Sequence, residues 1–194
     1  MTTQRQAAAG LRASERCARL YIDLGSTDLT VAQIATGIGV AERTFYRHFP
    51  HKRDTIRPLL DETSLMMAAS IGESVDLSIE RSLTKAFHDA FGGEREEQTR
   101  QLYPLVFRDA GMWAVLLQAV YDGAALVRPA IAGRLGIPAD SVRARSAASL
   151  FVSTILTCIE IMVESGADPF ETFPAALSAA TSNPFRPPTK GSAS

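Results

Sequence analysis

The most constraining stretch of this chain is residues 29–56, LTVAQIATGIGVAERTFYRHFPHKRDTI, where two short helical patterns flank a pair of glycines. Thr30 with Gln33 three residues on forms a capping box, in which hydroxyl and amide each satisfy a backbone N–H of the first turn. Ile34, Ala35 and Ile38 recur at helical spacing and give that helix one apolar face. Gly37 and Gly39 end it, because glycine accepts the positive φ of a tight turn. Val40 is apolar within the turn and is placed to plug the space between the helices. The next helix is expected from about Ala41 to Phe49, stopped by Pro50. Phe45 and Phe49 are four apart and share its inner face. Arg43, Thr44, Tyr46, Arg47 and His48 occupy the other face, and a further helix begins at Lys52.

A short helix, a glycine turn and a second helix with an apolar back and a basic front is the pattern of a helix-turn-helix. The residue types suit duplex DNA. Arginine forks onto a guanine edge, threonine reaches a thymine methyl or a phosphate, and tyrosine and lysine suit phosphate oxygens. An ordinary helical hairpin with a solvated face shares the pattern. The charge distribution favours the DNA reading: residues 1–57 hold nine Lys or Arg against five Asp or Glu, a net of +4, and the remainder nets −5.

Leu29-Thr30-Val31, Ile34-Ala35, Gly39-Val40, Thr44-Phe45-Tyr46-Arg47-His48-Phe49 and Lys52 closely resemble the N-terminal DNA-binding domain of TetR-family transcriptional regulators. The resemblance is ungapped and covers about the first 57 residues. It implies an all-α homodimer of about nine helices on double-stranded operator DNA. Residues 9–57 would form a three-helix DNA-binding domain, residues 58–182 a helical ligand-binding and dimerisation domain, and residues 183–194 a disordered tail. Carried over by position, Arg43 and Thr44 sit where the family touches bases or nearby phosphates. Tyr46 and Lys52 sit where it grips the backbone, with Arg47 and His48 close by and Thr30 at the start of the first helix of the pair. Glu42 has two readings, an acceptor from a cytosine amine or a first-turn acid that favours the helix dipole. Two departures stand out. Ala41 replaces the serine cap frequent in the family, a loss of about 1 kcal/mol. Ala32 stands where some members place a long polar reader.

The rest of the chain reads as helices throughout. Residues 1–8 are expected as a loose arm, from which Arg5 and Arg12 would either reach the DNA backbone or stay solvated. The predicted helices are about Ala9–Leu24, Lys52–Ile71, Leu77–Phe91, Gln98–Arg108, Met112–Leu135, Ala139–Ser165 and Asp168–Thr181. The first presents Ala13, Cys17, Leu20, Tyr21 and Leu24 on one face. Pro58, two turns into its predicted helix, is expected to kink it. Residues 94–100 read as a charged, solvated stretch.

The helix after Pro138 is apolar on more than one side and needs more than one neighbour. The last two helices resemble the dimerising pair of the family. Phe151, Thr154, Ile155, Cys158, Ile159, Met162, Phe170, Phe173 and Leu177 are therefore the candidate dimer interface. Met66, Met67, Phe87, Phe91, Tyr103, Phe107, Met112, Trp113, Leu117, Tyr121 and Phe151 are adaptable apolar residues of the kind that line small-molecule pockets, and equally the kind that fill cores. His88, Arg108 and Tyr121 are candidate polar groups for orienting a ligand. The implied effector is a small apolar or amphipathic molecule.

No uninterrupted run of about 18 apolar residues stands out, and the N-terminus lacks the apolar core of a signal peptide, so a cytoplasmic protein with no membrane span is expected. Cys17 and Cys158 lie far apart within apolar helical stripes and read as buried thiols. His48 and His51 flank Pro50 rather than sharing a helix face. No metal, cofactor or enzymatic activity is implied, because phosphate-loop, nucleophile-elbow and metal-ligand spacings are all missing. The alternative to a regulator is an all-helical protein that sequesters a small molecule without specific DNA binding.

Overall fold

Polar caps decide where most of the helices begin. The computed structural model describes residues 2–182, and the predicted tail at 183–194 lies outside them. Among the described residues the chain forms nine α-helices and two 3₁₀ turns, with no strand. They are α1 (Thr2–Leu24), α2 (Val31–Gly37), α3 (Glu42–His48), a 3₁₀ turn (Lys52–Ile56), α4 (Arg57–Glu73), α5 (Ile79–Phe91), a 3₁₀ turn (Gly93–Arg95), α6 (Glu96–Arg108), α7 (Ala110–Leu135), α8 (Val142–Ser165) and α9 (Pro169–Thr181). Ser78, Asp109, Ser141 and Asp168 cap α5, α7, α8 and α9 through their side-chain oxygens. The Asp109 carboxylate accepts from the N–H of Gly111 at 2.9 Å and of Met112 at 3.0 Å. That cap moves the start of α7 two residues ahead of the predicted one.

Four expectations are corrected. The predicted arm at 1–8 is helical from Thr2, since Gln, Arg and three alanines are good helix formers and extend α1 backwards. On the predicted face of α1, Ala13, Cys17 and Tyr21 are buried, but Leu24 is 56 % exposed at the helix end. Pro58 does not kink a helix: a 3₁₀ turn occupies Lys52–Ile56, and Pro58 falls in the first turn of α4, where its missing N–H is one that has no intrahelical partner anyway. The stretch 94–100 is ordered, not a solvated linker. It makes a 3₁₀ turn and the first turn of α6, held by Thr99, whose buried hydroxyl donates to the Arg95 carbonyl at 2.9 Å.

The core of residues 58–182 is layered around α4 and α7. α4 packs on α7 and α5, α7 on α8, and α8 on α9. Phe87 of α5 stacks on Phe173 of α9 with ring centroids 4.6 Å apart. α4 and α7 approach closely because position 123 is glycine; a Cβ there would stand 2.8 Å from Ser64 Oγ. By length and composition α7 and α8 could cross a membrane, although the sequence was expected to hold no such span. Here they are core helices packed on each other and on α4 and α9.

Arg57 clamps the start of α4 to α7, donating to Asp61 and to Asp122 at 2.7 Å each. Its hydrogen bond, with one from Gln118, holds the Asp122 carboxyl below the usual range. A depressed carboxylate stabilises the fold above its unfolded pKa, about 3.9, and that contribution fades as pH falls through the lower folded value. Both partners are part-exposed, so Arg57→Ala is expected to cost no more than about 1 kcal/mol in urea unfolding at pH 7, shrinking below pH 3. An undiminished cost at acid pH would show that Arg57 acts by packing rather than by charge.

Candidate nucleic-acid interface and cavity

α1 is the brace on which the helix pair is mounted. The Ser14 hydroxyl donates to the Thr55 carbonyl at 2.6 Å, and the Thr55 hydroxyl donates to the Lys52 carbonyl at 2.8 Å. That leaves the buried Tyr21 hydroxyl to donate to Thr55 Oγ1 at 3.0 Å. A closed buried chain of this kind ties α1 to the 3₁₀ turn behind α3. Arg16 Nη1 donates to the Ile38 carbonyl at 3.1 Å and so caps the end of α2. In the turn, Gly39 has φ +71°, and the Val40 N–H bonds the Ala35 carbonyl at 2.9 Å. Of the two glycines at this turn, Gly39 alone uses the left-handed region. Gly37 has a different role: a Cβ there would lie 2.7 Å from a Leu20 methyl, so it gives α1 room.

The capping box of α2 is formed as the spacing predicts, with Gln33 N–H donating to Thr30 Oγ1 and Thr30 N–H to Gln33 Oε1. α3 starts at Glu42 after Ala41, which makes no side-chain cap bond. Phe45 and Phe49 are buried edge to face, 5.2 Å between centroids. With α3 seated by those two rings, Arg43, Tyr46 and Arg47 point to solvent. None of the three has a hydrogen-bond or ion-pair partner among the described residues. Glu42 is exposed in the first turn, and Thr44 and His48 are half-buried at the edges of the same face. Burial first, then the neighbouring Arg47 and Arg16, lowers the His48 pKa, so at pH 7 it is a neutral imidazole.

Lys52, expected to grip the DNA backbone, also has partners within the protein. Its ammonium donates to the Thr27 carbonyl at 3.1 Å and stands 3.9 Å from Asp109 Oδ2, linking the helix pair to the start of α7. The spacing of Lys52 from α3 carried no sign of this, because Asp109 is remote in sequence. Also unread in the sequence was His51-x-x-Asp54, a second capping box that orders the turn after α3.

In residues 58–182 the aromatic and methionine candidates separate into groups. Met67, Phe91 and Tyr103 line a cavity between α4, α7 and α8. Phe87 and Phe151 belong to the aromatic core around Phe173, and Phe107 packs on Trp113 at 4.5 Å. Met112 is wholly buried. Met66 Sδ lies 2.7 Å from Arg95 Nη1. Leu117 and Tyr121 are turned outward on α7, Tyr121 78 % exposed. His88 and Arg108 are exposed as well. The cavity walls that sequence reasoning missed include Thr63, Ser64, Ala119, Gly123, Val152 and Ile159. Small and aliphatic residues carry no sign of a pocket until two helices cross over them.

The nine residues expected at a dimer interface face their own subunit instead. Phe151, Thr154, Ile155, Cys158, Ile159, Met162, Phe173 and Leu177 are buried within the single chain, and Phe170 is half-buried against Phe87 and His88. Apolar periodicity marks a buried face but does not say whose surface buries it. Both cysteines are buried, and desolvation pushes the Cys17 thiol up to about 12 and raises that of Cys158.

Residues 17–56 match the family described as bacterial regulatory proteins, tetR family. No curated protein sequence matches the chain. Solved structures that share its fold include two from different organisms. One, from Mesorhizobium loti MAFF303099 and described as a TetR-family transcriptional regulator, is 16 % identical, with a TM-score of 0.54 over 93 % of this chain and 96 % of that one. The other, a TetR-family transcriptional regulator from Streptomyces coelicolor, is also 16 % identical, with a TM-score of 0.53 over 91 % and 79 %. An all-α fold with a braced helix-turn-helix and a free basic helix face defines a DNA-binding transcriptional regulator. Residues 17–56 are thus similar to the DNA-binding domain of tetR-family regulatory proteins, and the chain as a whole shares the fold of solved TetR-family structures.

Proposed function

We propose that the protein is a ligand-responsive repressor that binds a palindromic operator as a homodimer in the cytoplasm. The observation that carries this reading is the outer face of α3, where Arg43, Tyr46 and Arg47 are exposed, without a partner among the described residues, on a helix fixed by Phe45 and Phe49. Residues 9–57 serve as the DNA-reading unit and residues 58–182 as the regulatory and pairing unit. Two copies set their α3 helices in successive major grooves about 34 Å apart. Arg43 and Thr44 read base edges, Tyr46, Arg47, His48 and the Thr30 end of α2 hold phosphates, and Glu42 faces a cytosine amine. Lys52 acts from behind, by holding Thr27 and Asp109.

With the inner faces of α8 and α9 consumed by the core, the copies pair through the outer faces, where Ser149, Ser153 and Thr157 of α8 and Ala175 and Ser178 of α9 are exposed. Small side chains let two helix pairs approach closely. An effector in the cavity against α4 shifts that helix, the element that runs directly on from the 3₁₀ turn behind α3, and thereby favours a DNA-incompetent state through differential affinity.

The test is binding of the purified dimer to DNA flanking its own gene against a random duplex at two salt concentrations. Specific, salt-sensitive binding is expected, and Tyr46→Phe should weaken it on both duplexes about equally. Equal affinity for both duplexes, with no preferred site recovered by selection from random sequences, would leave a sequestering protein in place of a regulator.

A further inference from the structure

Two cavities meet back to back inside residues 58–182. The first lies between α4, α7 and α8, the second between α4, the end of α5 and α6. Each has about 40 Å³ of free room, space for roughly three waters at about 10–15 Å³ each. Leu60, Thr63, Phe91 and Tyr103 line both, so the partition between them is one layer of side chains.

The polar groups along this path are few and unevenly matched. Tyr103 is 9 % exposed, and its hydroxyl meets no hydrogen-bond partner among the described residues. Burial raises its pKa, so the hydroxyl keeps its proton and can donate to a guest in the cavities that Tyr103 lines. Thr63 already donates to the Leu59 carbonyl at 2.9 Å. At the rim of the second cavity stand Arg95 and Gln98, both half-buried. No carboxylate lies within ion-pair distance of Arg95 among the described residues, and its guanidinium rests on Met66 Sδ, a weak acceptor. A cation partly withdrawn from water without an anion is a costly arrangement that an incoming anion relieves.

Building on the effector-site reading above, we propose that the two cavities are halves of one channel that opens when Tyr103 turns aside, and that the channel takes an unbranched medium-chain carboxylate. The carboxylate sits at Arg95 and Gln98, the Tyr103 hydroxyl donates to the head group, and the tail runs along α4 toward Ile159. Two narrow cavities in line suit a single-file methylene chain; a fused-ring molecule would have to displace α4 or α8 to enter. The chemistry at the rim selects an anion over a neutral head.

Calorimetric titration of the full chain with decanoate, decan-1-ol and the bulky neutral aromatic N-phenyl-1-naphthylamine tests this. Decanoate should bind saturably, one per chain, and decan-1-ol at least ten-fold more weakly. Arg95→Gln should weaken decanoate ten-fold or more and leave decan-1-ol unchanged, a split that a merely structural Arg95 would not produce. Ala119→Leu, which fills the first cavity, should weaken both chains alike. Equal binding of decanoate and decan-1-ol, or decanoate indifferent to Arg95→Gln, overturns the proposal. Binding of the aromatic probe alone, abolished by Ala119→Leu, overturns the carboxylate channel while leaving an effector site in the cavity. No binding of any probe overturns both.

Discussion

Replacing Arg43 with alanine is expected to weaken binding to the preferred operator by about 10²-fold or more, while binding to random duplex falls far less. Arg43 is exposed near the N-terminal end of α3, the part of a recognition helix that reaches base edges, and it has no intramolecular partner among the described residues. A bidentate arginine–guanine contact discriminates by about 1–3 kcal/mol, and a homodimer loses it in both half-sites. Because the side chain is exposed and bonds nothing among the described residues, the fold should be untouched. Thermal unfolding of the variant should match the parent, so a change in affinity can be assigned to the interface. The readout is a pair of titrations, on operator and on random duplex, at one stated salt concentration. Equal losses on the two duplexes would show that Arg43 meets only phosphate.

Phe45→Ala should abolish operator binding by a different route. Phe45 is fully buried, packs edge to face on Phe49 at 5.2 Å and meets Tyr46 at 5.6 Å. Removing a buried phenylalanine costs about 3–5 kcal/mol when the site cannot collapse. Collapse is hindered here, since α1 is tied to the 3₁₀ turn behind α3 by the Ser14–Thr55–Tyr21 chain. For a chain of this size the loss corresponds to a fall of roughly 6–20 °C in Tm. Helical content of residues 58–182 should largely survive, because Phe45 belongs to the DNA-binding end, so circular dichroism at 25 °C should keep most of its signal while DNA binding is lost. Full operator affinity in this variant would mean that α3 is seated by contacts other than its aromatic pair.

The helix-turn-helix was legible because its determinants are local. Thr30 with Gln33, Gly39, and the spacing of Phe45 and Phe49 each act within one or two helical turns, and all three features do in the fold what their positions in sequence imply. Helix ends elsewhere were off by two to three residues wherever a cap was passed over, as at Asp109 and Ser141. Pro58 shows how a local rule fails when the boundary is misplaced: the same residue that breaks a helix interior suits its first turn. The intramolecular partners of Lys52 were not legible for another reason, since Thr27 and Asp109 are brought to it by the packing of the 3₁₀ turn between α1 and α7.

The sequence by itself determined that the chain is helical throughout, that residues 29–56 turn a basic helix face outward, and that the core is apolar and free of paired cysteines. These follow from periodicity, caps and charge, which act over a few residues. Only the tertiary structure decided which apolar faces are used up inside one subunit. α8 reads as a face awaiting a partner, yet α7 and α9 already cover it, leaving small residues outside. It also decided where empty space remains. A cavity is set by how closely helices approach, at Gly123 against Ser64 and at the partition made by Phe91 and Tyr103, and that distance is a property of several distant segments at once.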